Sequence, residues 1–206
     1  MTTTEILTML QREIHTTVFA TVDDDGLPQT CVIDLMLCDD NGLYFLTAKG
    51  KSFYRRLMAK SFVALSGMKG TDTLSSIAIS MRGRVRCIGR ERLDEIFEKN
   101  PYMAKIYPTP ESREALVVFQ LHQGEGEYFD LSHLPPFRQS FSLGGEPLQE
   151  HAYRIAAQRC IGCTSCLSVC PTGCISKTTP RTIGASHCLH CGNCMDACPV
   201  HAVERG

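Results

Sequence analysis

One cysteine pattern, present twice near the end of the chain, constrains the fold more than any other feature. Cys160, Cys163, Cys166 and Cys170 are followed by Pro171, and Cys188, Cys191, Cys194 and Cys198 by Pro199, so the order CxxCxxCxxxCP is repeated. Each run sets three thiolates on a short, tightly turning loop able to face one cubane iron-sulfur cluster, while the fourth cysteine, entering the next segment, points away and ligates the partner cluster. Cys160, Cys163 and Cys166 are therefore expected on one 4Fe-4S cluster with Cys198, and Cys188, Cys191 and Cys194 on the other with Cys170. Neither half can hold its cluster alone, so the halves must fold against each other.

Other uses of cysteine predict other spacings. Disulfide frameworks suit small secreted domains, and the Met1 to Leu10 stretch, with Glu5 and several threonines, does not read as a signal sequence. Zinc sites usually show two separated CxxC pairs rather than three evenly spaced cysteines and a fourth before proline. From these runs, about the last fifty residues resemble a bacterial-type ferredoxin with two 4Fe-4S clusters. Aligning the runs puts Cys174 opposite Ala202, which reads as a small packing residue rather than a ninth ligand. Cys31, Cys38 and Cys87 lie scattered in apolar stretches, where free cysteine commonly behaves as a small buried hydrophobe.

The formal net charge of -1 is unevenly divided. From His151 onward, Arg154, Arg159, Lys177, Arg181 and Arg205 face only Asp196 and Glu204, so the apoprotein tail is positive and the rest negative. Two oxidised cubanes with their thiolates would return about two negative charges each, leaving the tail near neutral. Such a tail fits a tethered relay better than a shuttle that docks by charge. No basic tract suggests nucleic acid, and no apolar run approaches a membrane span. The cytoplasm is the expected compartment, where many cysteines point to reduced thiols and metal.

Upstream, Ile6, Leu7, Met9, Leu10 and Ile14 predict an amphipathic helix over Thr3 to His15, N-capped by Thr3 or Thr4. Strands follow at Val18 to Val22, Gln29 to Cys38 and Leu43 to Thr47, joined by turns at Asp23-Asp24-Asp25-Gly26 and Asp39-Asp40-Asn41-Gly42. The aspartates read as turn residues. Ala48-Lys49-Gly50-Lys51-Ser52 leads into a helix from Phe53 to Ala59, then strands at Phe62 to Ser66 and Ile77 to Ile88. A strand, a basic turn and a helix start can receive a phosphate, because open N–H groups and the Lys51 ammonium both favour an anion; a solvated basic turn is the competing reading.

The order of Phe19-Ala20-Thr21-Val22, Gly26-Leu27-Pro28, Leu43-Tyr44-Phe45-Leu46-Thr47, Lys51-Ser52-Phe53-Tyr54-Arg55-Arg56-Leu57 and Met81-Arg82-Gly83-Arg84-Val85 resembles the pyridoxamine 5'-phosphate oxidase-like flavoproteins. The resemblance implies an α+β chain whose N-terminal domain, residues 1–132, is a split β-barrel. It also implies a homodimer binding FMN at the subunit interface, with Lys51 and Ser52 on the phosphate and Thr47 and Arg82 as further contacts. Arg84 and Arg86, alternating with Val85 and Cys87, equally suit a solvent-facing basic row, and Lys49, Arg55 and Arg56 a hydrated surface.

Leu93, Ile96 and Phe97 predict a short helix from Glu91 to Lys99, closed by Asn100-Pro101. Ala115 to Leu121 and Glu127 to Leu131 read as a hairpin turning at Gly124 to Gly126. Tyr102 and Tyr107 suit aromatic packing as well as a ligand, and His122 and His133 have no visible partner. Residues 133–150, rich in proline and glycine, form a linker. Phe137, Arg138, Phe141 and Leu143 predict that it packs on the barrel. A helical turn is expected from His151 to Gln158, opening the ferredoxin domain, 151–206.

Three functions remain open at this level. One is an oxidoreductase in which two 4Fe-4S clusters exchange electrons with FMN, and FMN with a small-molecule substrate. The others are a non-enzymatic carrier serving a redox protein partner, and a flavin-binding redox sensor. No residue is assigned as acid, base or nucleophile.

Overall fold

The computed structural model describes residues 1–148 and 153–206. They divide into two compact units. The first holds Met1–Lys69, Ala78–Tyr128 and Ser140–Leu148; the second holds Gly70–Ile77, Phe129–Gln139 and residues 153–206.

The first unit opens with α1 (Thr3–Met9), capped by Thr2 and not by Thr3 or Thr4. The Thr2 hydroxyl accepts the Glu5 amide at 3.2 Å and the Glu5 carboxylate accepts the Thr2 amide at 2.7 Å, a reciprocal capping box that satisfies two helix-end donors. The helix does not continue as regular α to residue 15. Leu10–Ile14 widen into a π turn that ends at His15, whose φ is 60°.

Among the described residues eight strands form one sheet, in the order β2-β1-β5-β6-β7-β4-β3, with β8 pairing on β7. They are β1 (Thr16–Val22), β2 (Pro28–Asp34), β3 (Leu37–Asp39), β4 (Gly42–Ala48), β5 (Phe62–Lys69), β6 (Ile77–Gly89), β7 (Leu116–Asp130) and β8 (Phe137–Leu143). The run expected from Gln29 to Cys38 is two strands. Leu35 donates to the His15 carbonyl and Met36 to the Tyr44 carbonyl, so the ladder changes partner between β2 and β3. Helix α2 (Ser52–Ala59) buries Phe53 and Leu57.

Alternation along β4 makes two apolar faces. Phe45 packs 4.7 Å from Phe19 and 5.7 Å from Phe119 between ring centroids, with Phe53 at 6.0 Å. Burying each such ring is worth roughly 1.5–3 kcal/mol. On the other face Tyr44, Leu116 and Val118 meet Leu93 and Ile96 of α3 (Leu93–Lys99) and Met103 of α4 (Met103–Ile106).

The hairpin expected at Gly124 to Gly126 is absent. β7 runs unbroken from Leu116 to Asp130, and neither glycine has the positive φ of a turn. They permit close packing instead. A Cβ at Gly124 would lie 2.3 Å from the Arg82 carbonyl oxygen, one at Gly83 2.2 Å from that of Gln123, and one at Gly126 2.4 Å from the Phe141 ring. The segment expected to be linker contains β8, with Phe141 and Leu143 buried.

In the second unit β9 (Tyr153–Ile155) pairs antiparallel with β10 (Val203–Arg205). The helical turn expected from His151 begins outside the described residues, and from Tyr153 to Ile155 the chain is strand, because Ala202 at the chain's end supplies a ladder partner to Ala156. Short helices α5 (Ser165–Ser168) and α6 (Asn193–Asp196) carry Cys166 and Cys194 into a core with Ile175 and Val203. Residues 129–139 are tied into this unit. His187 Nδ1 lies 3.1 Å from the Pro136 carbonyl, and Arg138 donates to His190 Nδ1 at 2.8 Å while its guanidinium lies 5.0 Å over the Phe129 ring.

Candidate functional site

The repeated cysteine runs open two separate cavities. The first, about 300 Å³, is lined by Cys160, Cys163, Cys166 and Cys198, with Ile155, Ile161, Val200 and Val203 closing its apolar walls. The second, about 310 Å³, is lined by Cys170, Cys188, Cys191 and Cys194, with Tyr153, Ile175, Ile183 and Leu189. The fourth cysteine of each run thus reaches the cavity of the other run. Left-handed glycines make the loops turn this sharply: Gly162 at φ 72° and Gly192 at φ 84° each follow the first or second cysteine of a run closely. Among the described residues no three His, Cys, Asp or Glu side chains converge on a single ion.

Backbone amides aim at several sulfurs. Those of Arg181 and Gly162 hold the Cys160 thiol below its ordinary range. Burial pushes Cys198 up, but amides of Ala202, Val200 and Val203 outweigh it and lower that thiol, and the Ala202 amide lies 3.2 Å from its sulfur. The His190 amide points at Cys188 Sγ at 3.4 Å. Cys166 and Cys194, carried on the short helices, are pushed up by burial. The two cavities combine thiolate-stabilising amides with apolar walls, the surroundings that tune a bound cluster.

Two residues distinguish the cavities, and neither stood out in the sequence as a neighbour of its cavity. Arg181 lines the first. It is 6% exposed, and its guanidinium donates to the carbonyls of Cys163 and Gly162 at 2.7 Å each and of Ser176 at 3.3 Å. Cys174 lines the second, and burial pushes its thiol up to about 12.

In the first unit, Lys51 is the N-cap of α2, in extended conformation, and makes no side-chain cap. Lys51 and Ser52 are exposed, so the first-turn amides of α2 face outward beside an ammonium. Thr47, at the end of β4, is 2% exposed and its Oγ1 has no hydrogen-bond partner. A buried hydroxyl without a partner is costly, and a ligand oxygen would relieve it. These features fit a phosphate-bearing cofactor. Arg56 donates to Thr21 Oγ1 at 2.7 Å, tying the same helix to β1. Arg82 is turned to Glu125, at 2.6 and 2.9 Å. Arg86 donates to Gln120 at 2.7 Å rather than standing free in a basic row.

Residues 2–129 match the profile of the pyridoxamine 5'-phosphate oxidase family. The chain belongs to that family. Residues 159–202 match a 4Fe-4S dicluster domain, so this member joins a flavin-type redox fold to a ferredoxin-type one. Among solved structures, a NimC/NimA family protein from Clostridium acetobutylicum has 18% identity and a TM-score of 0.57, covering 68% of this chain and 92% of its own. A heme binding protein from Mycobacterium smegmatis has 14% identity and a TM-score of 0.50, covering 64% of this chain and 53% of its own. These likenesses establish the split-barrel fold. No match was found among the curated proteins.

Family membership does not single out catalytic side chains. Sequence reading also missed a polar group of the barrel, in which His15 Nε2 lies 3.0 Å from the Tyr102 hydroxyl and that hydroxyl donates to Asp34 at 3.2 Å. Burial and the Asp34 charge push the Tyr102 hydroxyl up to about 12. His15 and Tyr102 come from segments too far apart for periodicity to pair them. No helix among the described residues is long and apolar enough to cross a membrane.

Proposed function

We propose that the protein is an iron-sulfur flavoprotein oxidoreductase that moves electrons between two 4Fe-4S clusters and FMN, with a small-molecule substrate at the flavin. The observation that carries this reading is the exchange of fourth cysteines between two cavities, each with apolar walls, on a chain whose remaining fold is of the pyridoxamine 5'-phosphate oxidase type. Bound FMN supplies exchange of either one or two electrons, which suits a partner that delivers electrons singly.

The chain's own residues do the holding. Cys160, Cys163, Cys166 and Cys198 would ligate one cluster, and Cys188, Cys191, Cys194 and Cys170 the other, while Arg181 and Gly162 amides favour the thiolate of Cys160. Lys51 and Ser52 would receive the flavin phosphate at the start of α2, and the Thr47 hydroxyl would gain the partner it lacks. Arg82, held by Glu125, would serve the flavin only by exchanging that partner. The outward faces of β1, β2 and β5 leave Val18, Val32, Phe62 and Met68 exposed, with Val18 opposite Val32, which supports pairing of two barrels as a homodimer.

The visible spectrum and metal content of anaerobically purified protein test the reading. About eight iron and eight acid-labile sulfide per chain, together with a flavin, are expected. Zinc in place of iron rejects the clusters, and a colourless barrel rejects the flavin. Rapid mixing of reduced protein with acceptors then separates enzyme from carrier: flavin reoxidation by small molecules supports the enzyme, and reoxidation by a protein partner alone supports the carrier.

A further inference from the structure

The internal repeat makes the two cavities near equivalents in cysteine geometry, yet their charge is unequal. Arg181 is a wall of the first cavity, buried to 6% exposure, and its guanidinium donates to backbone carbonyls. Two of those carbonyls, Gly162 and Cys163, belong to the loop that carries the cysteines. The backbone amide of the same residue favours the Cys160 thiolate. Arg181 therefore holds the first cluster loop through its guanidinium, and it brings a permanent positive charge inside.

Among the described residues the second cavity has no cation in its wall. Arg138 donates to His190 Nδ1 at 2.8 Å. His190 lies between Cys188 and Cys191 in the chain but is not part of the lining. Arg159 is engaged with Glu204 at the exposed surface. Reduction adds a negative charge to a cluster, and a buried cation at its wall favours that charge far more than a solvated one does.

We propose that Arg181 is a positioning and potential-setting residue that makes the cluster of Cys160, Cys163, Cys166 and Cys198 the more easily reduced of the two, so that in half-reduced protein the electron resides there. This rests on the two-cluster reading above. It gives the repeat a direction: the cluster of the second cavity is the donor end and that of the first the acceptor end.

Redox titration of the full, anaerobically purified chain with a low-potential chemical reductant, followed by electron paramagnetic resonance, reads the order directly. Cys174 lines the second cavity and not the first, so Cys174→Ala marks that cluster's signal. The unmarked signal is expected to develop first. Arg181→Met, which removes the charge, is expected to shift the electron's distribution away from the first cluster at least tenfold, about 59 mV for a one-electron couple. The marked cluster's potential should stay where it was. Arg181→Lys, which keeps the charge, should keep the order of reduction.

The proposal is overturned if the marked signal develops first in the wild-type background, or if Arg181→Met holds its iron and moves neither potential. Should Arg181→Met lose iron, the order in the parent chain and in Arg181→Lys still decides. A reversed order in Arg181→Lys with full iron would overturn the charge argument. Iron and sulfide well below about eight each in the parent chain would reject the two-cluster reading itself, an outcome distinct from two clusters of equal potential.

Discussion

The sulfurs of Cys170 and Cys174 lie 3.6 Å apart, on the same wall of the second cavity. Cys170 is the member of its run that crosses to the other run's cysteines, and Cys174 is the neutral thiol beside it. Burial raises Cys170, but amides of Cys174 and Thr172 and the Thr172 hydroxyl outweigh it and lower that thiol, while burial raises Cys174. This is the difference expected if Cys170 is a ligand and Cys174 a packing thiol. Cys174→Ala is expected to retain full iron at a stability cost of about 1 kcal/mol. Iron analysis after gel filtration checks it; loss of half the iron would make Cys174 a ligand.

Crossed ligation makes a prediction that sequence distance alone would not. Cys198 sits in the second run, yet it lines the cavity of Cys160, Cys163 and Cys166. Cys198→Ala should remove or alter the first cluster and leave roughly four iron in the second. Electron paramagnetic resonance of the variant should show the signal that Cys174→Ala perturbs. Loss of that signal instead, with the first retained, would mean uncrossed ligation.

The close approach of β6 and β7 at Gly83 and Gly124 predicts a contrast between two glycines. A Cβ at Gly83 would be 2.2 Å from a backbone oxygen, which cannot move aside without shifting a strand. Gly83→Ala should cost about 3 kcal/mol or more. Gly26 sits in an open turn with φ +80° and nothing within 4 Å of an added Cβ, so Gly26→Ala should cost only the left-handed strain, about 1–2 kcal/mol. Thermal or denaturant unfolding of both variants measures the difference, and equal losses would contradict the close packing at Gly83.

What was legible in the sequence followed from local periodicity and fixed spacing. The Asp39-Asp40-Asn41-Gly42 turn, α2 and the alternation along β6 needed only neighbours in the chain. The exchange of cysteines was expected from spacing, because a run of four cannot all face one cluster, and the linings of the two cavities follow the same grouping. Gly124 to Gly126 misled, because glycine signals either a turn or a close approach, and only the partner Gly83, far off in sequence, decides which. Arg181 was counted as one surface charge of the tail. Its burial depends on carbonyls of Gly162 and Cys163, which no local pattern connects to it. His15, Tyr102 and Asp34 met for the same nonlocal reason.

His122, on β7, gives the stability a pH dependence. Burial lowers its affinity for a proton, and the charges of Arg86 and Arg84 lower it further, from an ordinary value of 6.5. Above pH 6.5 the ring is neutral whether the chain is folded or not, and its contribution is constant. As pH falls below 6.5 the unfolded chain takes up a proton before the folded one does, so folding stability declines. His122→Gln should flatten that decline just below pH 6.5 in denaturant titrations. An unchanged slope would show that His122 titrates normally in the folded barrel.

Thr47 and Lys51 separate what the flavin turn costs the empty barrel from what it gives the loaded one. The Thr47 hydroxyl is buried without a partner, so Thr47→Val should stabilise the flavin-free protein by about 1–2 kcal/mol. The same change removes a group available to the phosphate and should weaken FMN retention. Lys51 is exposed at the N-cap of α2. Lys51→Ala should therefore leave the stability of the flavin-free barrel nearly unchanged while weakening FMN retention, with the iron content of both variants intact. Flavin fluorescence released on denaturation, read beside iron content and unfolding of the flavin-stripped protein, measures all three quantities. If both variants keep the parent's flavin occupancy, the phosphate lies elsewhere on the barrel; if Thr47→Val weakens FMN without stabilising the flavin-free protein, its hydroxyl has a partner when the site is empty.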